Sequence, residues 1–271
     1  MSLPELLCAL VEHLHSPEFH PLARHADHPR AFTRRRKLPL PSLIALMLSG
    51  MCKSVQAELD LFFAHLRQQA QPLRQASEQA FAQARAKLSH RALPALNDFL
   101  IAQADQAGWL ARWQDLRLVA ADASAVRFGL RASHVPRAAD TDQIAFGLTL
   151  PGSELMLAAS LHSIHESERE RLFEHLERLG PEDLLLLDRG YPCRWLVALL
   201  NQRGIPFCMR VELSGESGFT CVRRFRRSGL HDEIVTLPAP DRRDLIDYGC
   251  PATPPRIRLI RHVAPTARCG C

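Results

Sequence analysis

The hydrophobic positions of the N-terminal region recur with the period of an α-helix. Residues 3–14 and 53–67 carry apolar side chains at intervals of three and four, and residues 40–51 are almost entirely apolar. Ser77 precedes a further stretch of this kind and is a residue type that commonly caps a helix. Because this spacing places the apolar side chains on one helical face, we predict an all-α region over residues 1–112.

The pattern changes after residue 112, where apolar runs become short and turn residues separate them. Short apolar runs bounded by turns are typical of strands, and longer amphipathic stretches are typical of helices. The predicted order is three strands, a helix, a strand, a helix and a strand, which gives a mixed sheet over residues 113–213. The predicted strands are 116–121, 145–150, 155–161, 184–187 and 206–211, and the predicted helices are 167–179 and 191–203.

The remaining region, residues 214–271, has a looser pattern. Short β-like stretches at 219–222, 233–237 and 256–263 alternate with turns rich in proline and arginine. We interpret this region as a β-rich appendage. The fold class predicted for the chain is therefore α/β: a helical domain, a mixed sheet and a β-rich insertion.

Two apolar runs of the predicted sheet end on an aspartate, namely Asp122 and Asp188. A carboxylate at the tip of a buried strand is rigid and half exposed, and two such groups side by side suit a hard cation such as Mg²⁺. Each aspartate also has a simpler explanation. Asp188 would cap the helix that follows it, and Asp122 would be a turn residue at the end of its strand.

The composition is that of an ordinary folded protein with a basic bias. Of 271 residues, 46% are hydrophobic and 23% are charged, so disorder over the whole length is not expected. The net charge is +5, and arginine, which suits bidentate phosphate contacts, greatly outnumbers lysine. Eight cysteines without a C-x-x-C pair, no signal-like N-terminus and no bilayer-spanning run favour a reduced, cytoplasmic protein without a membrane partner.

Three groups of residues carry a family resemblance. They are the basic stretch 32–38 with the helix start 53–60, the stretch 77–88, and the pair 122–124 (Asp-Ala-Ser) and 188–191 (Asp-Arg-Gly-Tyr). In these residues the chain resembles the DDE transposases of bacterial insertion sequences, in the group called insertion-sequence family four. The likeness extends from about residue 32 to about residue 263.

The resemblance implies a ribonuclease H-like sheet and metal-dependent DNA cleavage and strand transfer. Asp122 and Asp188 correspond to the first two catalytic acids, which hold Mg²⁺ or Mn²⁺. The third acid of the family is a glutamate within a later Tyr…Arg…Glu…Lys signature, which does not occur before Cys271. We therefore expect a fold that is incomplete at the C-terminus, through truncation or a frameshift, and an impaired activity.

Other interpretations stay open. One is an inactive DNA-binding fragment that still binds transposon ends, and another is a ribonuclease H-like nuclease unrelated to transposition. The loop setting of the acids near the C-terminus gives no reason to choose a third ligand among them: Glu233, Asp241, Asp244 and Asp247. A homodimer is also left open.

The expected partner is DNA, from the transposon terminal repeats and the target. Arginine and lysine neutralise phosphates, and a β-ribbon bearing arginines around Phe225 would lie along DNA. The alternatives are solvated charge runs and, for the tyrosine, a packed side chain. The neighbouring residues Glu168, Arg169, Glu170 and Arg171 are predicted to form a solvated helical face. The candidate DNA contacts are Arg34, Arg35, Arg36, Lys37, Arg85, Lys87, Arg189, Tyr191, Arg223 and Arg224.

Overall fold

The computed structural model describes most of the chain in five stretches. Arg35, one of the expected DNA contacts, lies outside the described residues. So does the C-terminal segment from residue 263 onward. The described ranges are 2–34, 36–126, 142–163, 165–211 and 219–262.

The chain divides into two compact units, Met1–Trp109 and Leu110–Cys271, which we call the helical unit and the sheet unit. The described elements of the helical unit are helices, in agreement with the periodicity of the sequence. They are α1 (Leu3–His15), α2 (Phe19–Leu22), α3 (Leu40–Leu48), α4 (Val55–Leu66), α5 (Glu78–Arg85) and α6 (Ala92–Gln106).

N-terminal caps and buried apolar faces explain why these segments form helices. The Ser77 hydroxyl accepts a hydrogen bond from the amide of Ala80 at 3.2 Å, which confirms it as the N-cap of α5. The helices bury two apolar clusters, one around Phe19 and Ile44 and one around Leu43. Burial of these faces supplies most of the stability of helices this short.

The sheet unit contains a six-stranded mixed sheet in its described residues, so the α/β class is confirmed. The strand order is β4-β3-β2-β5-β6, with β1 paired to β2. β2, β3 and β4 are antiparallel, whereas β5 is parallel to β2 and β6 is parallel to β5. The strands are β1 (Arg112–Trp113), β2 (Leu116–Val126), β3 (Gln143–Leu150), β4 (Leu155–Ser163), β5 (Asp183–Leu187) and β6 (Phe207–Met209).

The first correction concerns β2, which was expected to end at Ala121. The strand continues to Val126, and Asp122 is paired with Gly147 of β3 inside the ladder. Aspartate and alanine are poor strand formers, but pairing along the whole of β3 overrides that local preference. Asp122 is therefore not a turn residue, whereas Asp188 does follow its strand directly.

Two helices of the sheet unit follow β4 and β5. α7 (Glu168–His175) continues into a short 3-10 turn, Leu176–Arg178, and α8 (Arg194–Arg203) ends at Gly204. Gly204 has a φ of 66°, a left-handed conformation that glycine adopts without strain.

α8 was expected to begin at Tyr191. It begins three positions later because Pro192 disfavours helical backbone at the residue before it. Cys193 occupies the N-cap position. The interpretation of Asp188 as a helix cap is therefore wrong.

The expectation of an all-β C-terminal region is wrong in two places. α9 (Thr220–Ser228) and α10 (Arg242–Tyr248) are helices, while β7 (Asp232–Thr236) and β8 (Arg256–Ile260) pair as an antiparallel ribbon. α9 buries Val222 and Phe225, whose spacing of three is helical rather than alternating. None of the helices in the described ranges is long and apolar enough to cross a membrane.

Candidate active site

Asp122 and Asp188 lie at equivalent positions of two neighbouring parallel strands. The last recorded pair between β2 and β5 joins Ala120 to Leu186, and each aspartate is two residues further along its chain. Adjacent strands are about 4.8 Å apart. Both aspartates are exposed, and extending this register by two residues places Asp122, within β2, beside Asp188, directly after β5.

The backbone after β5 folds around the Asp188 carboxylate. Its Oδ1 accepts a hydrogen bond from the amide of Gly190 at 2.7 Å, and its carbonyl accepts one from the amide of Tyr191 at 3.4 Å. Within the described part of the chain, neither Asp122 nor Asp188 forms an ion pair with a cationic side chain. Both carboxylates therefore keep oxygen atoms available for a ligand.

Glu168, the first residue of α7, lies beside these aspartates. A methyl group placed on the Cα of Gly190 would lie 3.1 Å from Asp188 Oδ1 and 3.5 Å from Glu168 Oε2. Burial raises the pKa of Glu168, and the negative charges of Asp188 and then Asp122 raise it further. The prediction that Glu168 lies on a solvated helical face is therefore wrong. The sequence feature that could have indicated its place is its position at the start of a helix that leads back to the sheet.

Arg169 ties the first turn of α7 to the loop after β5. Its Nε donates a hydrogen bond to the carbonyl of Gly190 at 2.7 Å. This contact connects the element that carries Glu168 with the loop that carries Asp188. The arginine next to the glutamate thus has a structural role rather than a solvated one.

Tyr191 is buried, with 1% of its surface exposed, and its hydroxyl has no hydrogen-bond partner among the residues that the structure describes. Burial raises the pKa of this phenol, and the charges of Glu168, Asp188 and Asp122 add to the effect. A buried hydroxyl does not reach a DNA backbone, so the expected DNA contact of Tyr191 is corrected. Arg189, its neighbour in the same loop, is exposed.

The carboxylates of Asp122, Asp188 and Glu168 lie around the same region but do not meet at one point. The described ranges contain no group of three or more His, Cys, Asp or Glu side chains that stand close enough to hold a metal ion. Mg²⁺ keeps several waters and is commonly bound through one or two carboxylates. Asp122 and Asp188 therefore fit such an ion by ligand type, exposure and position.

Ser160 and His162 of β4 form a second polar cluster with α7. His162 Nε2 lies 2.5 Å from Ser160 Oγ, and His162 Nδ1 lies 3.5 Å from Glu166 Oε2, which resembles a hydrolase triad. However, Arg171 Nη1 lies 3.0 Å from His162 Nδ1, and arginine only donates, so this nitrogen is the acceptor. His162 Nε2 then carries the proton and cannot take one from the serine.

The same cluster holds α7 against β4. The Ser160 hydroxyl donates to His175 Nε2 at 2.8 Å, and Arg171 Nη1 donates to Glu174 at 2.6 Å. The His175 ring stacks on Phe146 of β3 with centroids 5.4 Å apart. These contacts fix the helix whose first residue is Glu168.

The helical unit has a basic cleft of about 1170 Å³. It brings together cations from two separate predicted stretches of sequence, because Lys87 lies in the same lining as Arg34, Arg36 and Lys37. Arg85 is not in the lining, and its guanidinium lies 5.9 Å from the centroid of the Phe81 ring. The charged lining residues of the described part are Arg30, Arg34, Arg36, Lys37, Lys87 and Asp27.

The second arginine cluster lies on α9 and not on the expected β-ribbon. Phe225 faces the apolar core, while Arg223, Arg224, Arg226 and Arg227 are exposed. Arg224 forms an ion pair with Glu233 at 3.1 Å. The exposed face of α9 is therefore a positively charged helical surface.

The acids considered as a third ligand each have a local partner. Glu233 pairs with Arg224, and Asp247 pairs with Arg243 at 3.2 Å. Asp241 and Asp244 form the capping box at the start of α10. These roles account for the acids without a metal.

No family model, curated protein or solved structure matches the chain. The features of its own residues therefore have to indicate its function. The strongest of these are the paired positions of Asp122 and Asp188 and the two basic surfaces.

Proposed function

We propose that this chain derives from a DDE-type DNA transposase and acts on DNA by metal-dependent phosphoryl transfer. The observation that carries the proposal is the equivalent position of Asp122 and Asp188 on adjacent parallel strands. The strand order β4-β3-β2-β5-β6, with three antiparallel strands followed by two parallel ones, supports a ribonuclease H-like sheet. Both features agree with the resemblance in the Asp-Ala-Ser and Asp-Arg-Gly-Tyr stretches.

Asp122 and Asp188 would hold Mg²⁺ or Mn²⁺ in this proposal. A bound divalent ion supplies positive charge that stabilises the transition state of phosphodiester cleavage and lowers the pKa of the attacking water. Asp122 is paired with Gly147 inside the β2–β3 ladder, which holds its backbone in place. The Gly190 amide fixes one oxygen of Asp188 and leaves the other available.

DNA is the proposed substrate because two basic surfaces lie outside the carboxylate site. The cleft of the helical unit is lined by five arginine and lysine residues against one acid in its described part. The exposed face of α9 adds a further group of arginines. Such surfaces attract a phosphate backbone and bind it with a strong dependence on salt.

A DNA-binding fragment without catalytic activity is the second candidate. It is favoured by the lack, among the described residues, of a group of three side chains placed to hold a metal. The basic surfaces would serve such a fragment equally well. Cleavage, rather than binding, therefore separates the two candidates.

The test is cleavage of a plasmid that carries the gene with its flanking DNA, with MnCl₂, MgCl₂ or EDTA. We expect nicking with either metal and none with EDTA. Asp122→Asn and Asp188→Asn should each lower the rate by about 100-fold or more, the usual cost of removing one transition-state stabiliser. Asp115→Asn is the matched control, because Asp115 lies just before β2 in a left-handed conformation that asparagine tolerates.

Cleavage that persists in EDTA, or that Asp122→Asn leaves unchanged, would exclude the proposed chemistry. Binding of the same DNA without cleavage in any metal would support the inactive fragment. Neither result depends on the sequence of the DNA ends, since flanking DNA is included in the plasmid.

A further inference from the structure

We propose that Glu168 is a third carboxylate of the site formed by Asp122 and Asp188 and contributes to divalent-cation binding there. This inference rests on the proposed function and extends it to a residue outside the stretches that carry the family resemblance. Glu168 lies in the segment between β4 and β5, far in sequence from the acids near the C-terminus. Three independent parts of the structure support this role.

The first part is the geometry around Gly190. Glu168 Oε2 and Asp188 Oδ1 approach the same side of this glycine, at 3.5 Å and 3.1 Å from the position a methyl group would take. The Arg169 bond to the Gly190 carbonyl holds the start of α7 at this place. A glycine at this position leaves space between the two carboxylates that a side chain would fill.

The second part is the Tyr191 hydroxyl. Tyr191 is 1% exposed, and its oxygen is buried without a hydrogen-bond partner among the described residues, in a place where the charges of all three carboxylates act on it. A buried hydroxyl without a partner is destabilising, so this one is a donor that lacks an acceptor within the described ranges. A carboxylate that turns inward to share a cation would provide that acceptor.

The third part is that the other acids on and beside α7 already have partners. Glu170 closes the capping box with Ser167, and Glu166 and Glu174 both pair with Arg171. Glu168 has no ion pair with a described cationic side chain, although it is half buried. Among these acids, Glu168 is the one whose side chain forms no ion pair or hydrogen bond in the described ranges, although the charge of Arg169 acts on it from nearby.

Mutual repulsion explains why the three carboxylates flank the region instead of converging. Charges of one sign in partly buried surroundings repel each other, and a divalent cation removes that repulsion. The raised pKa of Glu168, caused by burial and then by Asp188 and Asp122, agrees with this arrangement. Cation binding would therefore draw the first turn of α7 towards the end of β5.

The experiment is calorimetric titration of the full chain with MnCl₂ alone, without DNA. We expect Glu168→Gln to raise the dissociation constant for Mn²⁺ by about 10-fold or more. Asp122→Asn and Asp188→Asn should weaken binding at least as much. The matched control is Glu177→Gln, an exposed acid of the 3-10 turn after α7, which should bind Mn²⁺ like the parent.

A folding control accompanies the titration. In EDTA the unfolding midpoint of Glu168→Gln should equal or exceed that of the parent, because the change removes a repelled charge. Tyr191→Phe removes only the unpartnered hydroxyl, and we expect weaker Mn²⁺ binding from it without a lower midpoint in EDTA.

Different results would overturn different claims. If Asp122→Asn and Asp188→Asn lose Mn²⁺ while Glu168→Gln and Tyr191→Phe bind it like the parent, the role of Glu168 is excluded and the proposed function stands. If the parent itself binds no Mn²⁺, the proposed function is excluded together with this inference.

Discussion

Asp183 has no exposed surface, and its carboxylate receives three hydrogen bonds. Arg117 donates from Nε at 2.6 Å and from Nη2 at 3.0 Å, and the Gly180 amide donates at 2.9 Å. This ion pair joins the start of β2 to the start of β5. The two strands that carry Asp122 and Asp188 are therefore fixed in register at the end opposite the proposed site.

Asp183→Ala should lower the free energy of unfolding by about 3–5 kcal/mol, because it removes a fully buried carboxylate that accepts hydrogen bonds from Arg117 and from the Gly180 amide. Urea denaturation measures the loss. Asp232→Ala is the matched control, since Asp232 also pairs with an arginine through both oxygens but is exposed. A loss for Asp183→Ala no larger than that of Asp232→Ala would show that the buried pair does not hold the register.

At the scale of elements, α9 illustrates how a local pattern can be misinterpreted. The run of four arginines around Phe225 fits an exposed ribbon when charge alone is considered. Phe225 and Val222 instead face an apolar cluster with Val235 and Leu259, which requires a spacing of three. Arg261 also donates to the carbonyls of Phe225 and Arg226 and so satisfies the end of the helix.

Arg226→Pro should lower the free energy of unfolding by about 3 kcal/mol or more, because proline removes a hydrogen bond inside a helix and clashes with the preceding turn. Arg226→Ala should change it by less than about 0.5 kcal/mol, as expected for an exposed helical position. Urea denaturation of both variants gives the comparison. Equal effects of the two substitutions would contradict a helix at residues 220–228.

Most elements of both units could be predicted from the sequence, because period and turn chemistry are local properties. The helices α1, α3, α4 and α5 and the strands β3, β4 and β5 lie close to the predicted stretches, whereas the short α2 lies in a stretch without a helical pattern. The end of β2 could not be predicted in this way, since pairing with β3 decides it. The same limit applies to Glu168, whose surroundings come from β2 and β5 rather than from its own helix.

At the scale of the whole molecule, two partly buried histidines make stability depend on pH. Burial lowers the pKa of His175, and Arg178, Arg171 and His162 lower it further against the opposing charge of Glu174. Burial also lowers the pKa of His20 in the helical unit. Each folded unit thus binds fewer protons than its unfolded chain near the ordinary histidine pKa of 6.5.

Stability should therefore fall as the pH decreases from about 7.5 through about 6.5, where only the unfolded histidines take up protons. Urea denaturation at several pH values between these limits and pH 5.5 measures this slope. His175→Gln should make the fall shallower, because one of the two linked groups is removed. A slope identical to that of the parent would exclude a contribution from His175.

The proposed DNA binding is the second property to test at the scale of the whole molecule. Replacing Arg36 and Lys37 together by alanine should weaken binding to any duplex and reduce the slope of log K against log salt by about 1–2, since each lost phosphate contact contributes about 0.9. Fluorescence anisotropy at several salt concentrations measures both quantities. Lys53→Ala is the control, because Lys53 is exposed and lies outside the cleft lining.

The sequence by itself determined the α/β class, most helix and strand positions, and the two aspartates worth testing. These depend on spacing along the chain and on residue type, which act over a few neighbours. The tertiary structure alone decided that Asp122 and Asp188 lie on neighbouring segments of the sheet, that Glu168 lies beside Asp188, that Tyr191 is buried, and that Lys87 shares a cleft with Arg36. Those placements depend on strand pairing and helix packing between residues far apart in the chain, which no local pattern encodes.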